Sequence, residues 1–161
     1  MEDLFVYIKK TFKTLENLFY ILSSAQVVIG VTAFYFVMNR FFGADYNFEY
    51  TYKIFIVSFN IASFISIYAA YGKSRKEIVK SASFEQKITH FRAINMMRML
   101  LLTATNVINL ALYVLAANHL FLTIFGIMFL LFLYYRPSRE IFIKEFDLNE
   151  IQKNIILNSK K

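Results

Sequence analysis

The chain has no cysteine, one proline and two histidines among 161 residues. Without cysteine there is no disulfide, no thiolate metal site and no thiol redox chemistry, so quinone-linked disulfide oxidation, a task some four-helix membrane proteins perform, is excluded. His90 and His119 stand far apart in sequence and lack the carboxylate spacing of a metal site, and they do not form an intramembrane pair for haem. Ser23, Ser24 and Ser138 have no base near them in sequence, which leaves nucleophilic catalysis without its second group. From these absences the expectation is a chain that is not an enzyme and carries no cofactor.

The most telling absence is local. Asp, Glu, Lys and Arg are missing from residues 17–39, 54–72, 99–117 and 119–135. Each stretch matches or approaches the roughly 20 helical residues needed to cross an apolar bilayer core. With 58% hydrophobic residues, little chain is left for a separate soluble core. The pattern predicts an all-α fold, an integral membrane four-helix bundle formed by a single domain over 1–161. An ionisable side chain at mid-membrane depth is also lacking, and proton- or cation-coupled carriers need one to bind and release charge. That argues against a small multidrug exporter and an ion-carrying rotor subunit.

The formal charge of +7 is explained by where the basic residues lie. Three precede the first stretch, seven lie between the second and third, and six follow the fourth, while only Arg40 and Lys53 fall in the first connection. Sixteen of eighteen therefore share one side. The positive-inside rule makes that side cytoplasmic and predicts an N-in/C-in topology. Topology thus accounts for the charge, and nucleic acid is not an expected partner. Glu2 and Asp3 stand where a signal peptide would be basic, and no small-residue cleavage pattern follows residues 38–40, so the first span is expected to remain as an anchor.

Outside the spans, Leu4, Phe5, Tyr7, Ile8 and Phe12 interleave with Lys9, Lys10 and Lys13, predicting an interfacial N-terminal helix over about 1–14. The first connection, about 40–53, holds Phe41, Phe42, Tyr46, Phe48, Tyr50 and Tyr52, an expected aromatic belt at the headgroup zone. Ser83-Phe84-Glu85-Gln86 fits a capping box, so the third helix is expected to start near Phe84 and overshoot the bilayer. The overhang predicts a basic cytoplasmic hairpin over 73–98, with an apolar seam of Ile78, Phe84, Ile88 and Phe91. Its basic surface comprises Lys73, Arg75, Lys76, Lys80, Lys87, Arg92 and Arg98, suited to anionic lipid headgroups. Arg136-Pro137-Ser138 ends the last span, and residues 138–157 predict short cytoplasmic interfacial helices that return to the membrane surface or pack under the bundle.

Polar and small residues inside the spans complete the reading. Gln26, Asn60, Asn106, Asn109 and Tyr113 predict an intramembrane polar seam, since buried amides need partners on neighbouring helices. Ser58, Ala62, Ser66 and Ala70 recur at intervals of four, and with Gly30 they predict close helix contacts.

Residues 84–150 resemble a group of small uncharacterised bacterial four-helix inner-membrane proteins. The likeness lies in His90-Phe91-Arg92 and Arg98 at the start of a helix, a hairpin turn at Asn118-His119, the Arg136-Pro137-Ser138-Arg139-Glu140 span ending, and a short acidic-apolar helix at 146–150. It covers less than half the chain, and implies a bacterial inner (cytoplasmic) membrane location without an activity. Where such proteins place a glutamate early in the third span, this chain has Leu102 and Thr103, so no carboxylate role carries over. The functional expectation is a non-enzymatic accessory subunit, assembly factor or scaffold, with other membrane subunits or further copies as partners. The alternative is a small transporter or channel using the neutral polar seam.

Overall fold

The computed structural model describes residues 2–39, 50–81, 83–146 and 148–158. Among them are six helices and no strand: α1 (Glu2–Met38), α2 (Tyr50–Ser81), α3 (Phe84–Ala116), α4 (His119–Tyr134), α5 (Arg139–Glu145) and α6 (Glu150–Asn158). Of the aromatic connection expected over about 40–53, residues 40–49 and the side chains of Tyr50 and Tyr52 lie outside the described residues, as do the side chains of Arg75, Ile78 and Lys80.

Three helices, α1, α2 and α3, are long and apolar enough to cross a membrane. A fourth candidate arises if α4 and α5, which meet at a bend of 75°, are taken as one broken span. At 1.5 Å per residue the 33 residues of α3 extend about 50 Å, well beyond a hydrocarbon layer of about 30 Å. The helix starts at the capping box: Ser83 Oγ accepts from the Gln86 amide, and Gln86 Oε1 accepts from the Ser83 amide. It stops at Ala117, which turns left-handed at φ 49°. Asn118 then caps α4 by accepting from the Leu120 amide, and a tight hairpin results.

α3 is the central helix, with α1, α2 and α4 packed around it. Their attachment is unequal. Burial covers 39% of the apolar stretch of α3 and only 11% of that of α2, so α2 lies at the periphery of the fold.

The N-terminal region differs from the sequence expectation. No interfacial helix separates from the first span, because no glycine or proline precedes Gly30 to interrupt α1. Ile8, Phe12, Leu15 and Phe19, spaced at four, three and four, form one buried stripe. They meet Ile88 and Phe91 of α3, Phe142 of α5, and Phe146, Leu148 and Ile156 in a core at the base of the bundle. Here Phe91 lies 4.9 Å from Phe142 and 5.8 Å from both Phe12 and Phe146, ring to ring.

This core bears on two further expectations. Ile88 and Phe91 pack against α1 and the C-terminal helices, and Ile78, the α2 member of the expected seam, lies outside the described side chains. Residues 138–157 likewise direct Phe142, Phe146, Leu148 and Ile156 under the bundle, leaving Ile151 exposed. α6 opens with its own capping box, in which Asn149 and Gln152 exchange side-chain to backbone bonds.

Candidate functional site

The buried face of α3 steps through Asn95, Arg98, Leu102, Asn106, Asn109 and Tyr113, each almost fully covered. Successive steps of three and four residues keep these side chains on one side of the helix. Two amide clusters occupy its middle. Asn106 Nδ2 donates to Gln26 Oε1 at 2.6 Å, and Gln26 Nε2 donates to Thr103 Oγ1 at 3.1 Å, which ties α1 to α3. Asn109 Nδ2 donates to Asn60 Oδ1 at 2.8 Å, and Asn60 Nδ2 returns a bond to Asn109 Oδ1 at 3.2 Å, which ties α2 to α3.

The seam residues therefore come together as two separate pairs. Tyr113 does not join them: its ring faces His119 at 6.1 Å and its buried hydroxyl has no partner. Asn106 Oδ1 and Ser23 Oγ are also buried without a partner. The Asn60–Asn109 pair permits a sharp test. Changing either residue to leucine strands the other amide and is expected to cost about 0.6–2 kcal/mol, while the double change costs less than the sum. A double-mutant cycle on unfolding in detergent reads this, and additive effects would show that the amides do not support one another.

The small residues separate in a way that periodicity does not foresee. Gly30 is buried under Phe125 of α4, where a Cβ would lie 3.2 Å from the ring. Ser58, Ala62, Ser66 and Ala70 are all exposed, so the α2 stripe is not a contact within this chain. Ser58 and Ala62 face away because α3 takes the other side of α2 there, holding it through the buried Asn60, whereas Ser66 and Ala70 line a cleft that opens between α2 and α3.

The basic residues also divide. Lys73 and Lys76 are exposed, Arg92 is half-buried, and Lys87 reaches the Phe146 carbonyl at 3.2 Å. Arg98 is not a surface residue: it is 7% exposed. Its Nη2 donates to Asn95 Oδ1 at 2.6 Å and to the Tyr135 carbonyl at 2.9 Å. The guanidinium lies over the rings of Tyr71 and Tyr135, 4.6 and 4.8 Å from their centroids. The Tyr71 hydroxyl donates in turn to the Glu145 carboxylate. One arginine thus joins α2, α3, the end of α4 and α5.

The physical basis of this girdle is the end of α4. The last carbonyls of a helix have no partner within it and carry partial negative charge, which a guanidinium can satisfy. Two facing tyrosine rings offset the loss of water around the cation. Nothing in the sequence singles out Tyr71, Tyr135 or Glu145, whereas Asn95 and Arg98 continue the spacing of Asn106 and Asn109 towards the N-terminus of α3.

Beside Arg98, a cleft of about 270 Å³ opens between α2 and α3, lined by Ser66, Ile67, Ala70, Tyr71, Ile94, Met97, Arg98 and Leu101. Among the described residues no group of three His, Cys, Asp or Glu side chains is placed to hold a metal. Long apolar helices with amides paired between them define the class: an all-helical protein of membrane-spanning type. Comparison with protein-family models, with curated proteins and with solved structures gives no match.

Proposed function

We propose that this chain is a non-enzymatic integral membrane protein that acts as an accessory or scaffolding subunit of a larger assembly in a bacterial inner membrane. In this reading α1, α2, α3 and α4 form a four-helix bundle, and both termini and the α2–α3 connection face the cytosol. The basic residues at that end then meet the anionic leaflet.

The observation that carries the proposal is the outward position of the first half of the α2 stripe. Ser58 and Ala62 are exposed although they are small and regularly spaced. In lipid, helices associate largely through close packing, and a ridge of small side chains lets another backbone approach. Within this chain that approach is unused, because α3 is held on the Asn60 side. The amides of Gln26, Asn60, Asn106 and Asn109 bond to groups on neighbouring helices, as suits a rigid support.

The test is affinity purification of the tagged chain from its own membranes in mild detergent, followed by native mass spectrometry. A stoichiometric membrane partner is expected. Combining Ser58→Leu with Ala62→Leu should lower its recovery about tenfold, a loss of about 1.4 kcal/mol in the contact. Recovery unchanged in that variant would overturn the proposed surface.

A further inference from the structure

We infer that the cleft between α2 and α3 is a binding site for a single anionic phospholipid, with an acyl chain against its apolar wall and the phosphate beside Lys73. Three observations converge on it. The cleft walls are apolar apart from the Ser66 and Tyr71 hydroxyls and the Arg98 guanidinium. Arg98 is more than nine-tenths buried, and its Nε has no hydrogen-bond partner. Finally, Ser66, Ala70 and Lys73 follow one another at four and three residues along α2, so exposed Lys73 continues the face that forms one wall.

The shape of this arrangement suits a lipid better than a polar solute. An apolar slot cannot repay a hydrated ligand for its lost water, whereas an acyl chain fills it without loss. The charge lies at one end. Lys73 and Lys76 are exposed just beyond Ala70, and basic groups between or beside membrane helices hold phosphorylated headgroups. Glu145 balances part of the Arg98 charge through Tyr71, so headgroup preference falls mainly to Lys73. Ser66 and Ala70 supply the room: larger side chains at these exposed positions would close the slot.

The inference rests on the membrane-spanning reading but needs no protein partner, and the test uses the purified chain alone. Native mass spectrometry in detergent compares phosphatidylglycerol and phosphatidylcholine with the same acyl chains. The expected result is a single-lipid adduct with phosphatidylglycerol, retained at activation that strips phosphatidylcholine, with a preference of about fivefold. Ala70→Phe should remove that adduct by filling the cleft. Lys73→Gln should keep lipid binding and abolish the headgroup preference. Equal retention of both lipids by the unaltered chain, or an adduct that survives Ala70→Phe, would overturn the site. Neither result touches the Ser58 and Ala62 surface, whose variant leaves this cleft open.

Discussion

Replacing Arg98 with alanine is expected to destabilise the protein by about 3–5 kcal/mol, the range for deleting one member of a buried charged network. The change removes two charge-assisted bonds, each worth about 1.5–3 kcal/mol, and strands the buried Asn95 acceptor away from water. Asn95 Oδ1 loses its 2.6 Å donor and the Tyr135 carbonyl its 2.9 Å donor. Tyr71 and Tyr135 also lose the cation that lies over them, a further contribution of about 0.5–2 kcal/mol. The sum of these gross figures exceeds the expected net effect, because the unfolded arginine regains full hydration. Arg98→Lys should recover less than half of the loss, since an ammonium group cannot lie flat between two rings. Thermal unfolding in detergent, with denaturant titration to place the difference on an energy scale, measures both variants. A cost for Arg98→Ala below about 1 kcal/mol would show that the girdle does not hold the helix ends together.

Phe91→Ala is expected to cost about 3–5 kcal/mol and to release the C-terminal helices first. The ring is fully buried and touches Phe12, Phe142 and Phe146, so its removal leaves a cavity where α1, α3 and α5 with its C-cap Phe146 meet, in the core that also holds Ile156 of α6. Pairwise ring contacts add about 0.5–1.5 kcal/mol each to the area term, and here there are three. α5 has only 7 residues and α6 only 9, too few to persist as isolated helices in water. They depend on this core. Hydrogen exchange should therefore show amides of 139–158 exchanging faster in the variant, while those of 102–113 change little. Uniform acceleration along the chain would mean that the base and the seam unfold as one unit. Unchanged exchange in α5 and α6 would mean that Phe91 does not anchor them.

These two residues also show where sequence reasoning reached and where it stopped. The spacing of Phe84, Ile88, Phe91, Asn95 and Arg98 was visible as one helical face, and the capping box placed its start at the residue where α3 begins. The same spacing leads onward through Leu102 to Asn106 and Asn109, so the buried position of Arg98 was written in the periodicity. A charge-based reading nevertheless put Arg98 with the exposed basic residues. Its burial depends on a carbonyl at the end of α4 and on a tyrosine of α2, groups 37 and 27 positions away in the chain. Ile8 and Phe12 illustrate the same limit. An amphipathic stripe predicts that one side will be covered, and α3, α5 and the α6 segment cover it here in place of a lipid surface.

The seam was legible in part. Gln26 and Asn106, and Asn60 and Asn109, needed partners because an amide in an apolar layer is costly to leave unpaired. Their division into an α1–α3 pair and an α2–α3 pair follows from the central place of α3, which no single stretch encodes. The small-residue stripe of α2 was equally visible and its destination was not. Spacing at four guarantees a common face, while the neighbour beneath that face is chosen by competition among all helices for α3.

By itself, the sequence determined the helical class, the apolar stretches, the capped start of α3, the turn before α4 and the break at Pro137, because hydropathy, capping and proline geometry act over a few residues. Only the tertiary structure decided that α1 runs unbroken into a shared basal core, that Arg98 closes the end of α4, and that Ser58 and Ala62 of the α2 stripe face outward. Those outcomes depend on which surfaces meet, and a buried charge or an uncovered face gains its energy from a partner remote in the chain.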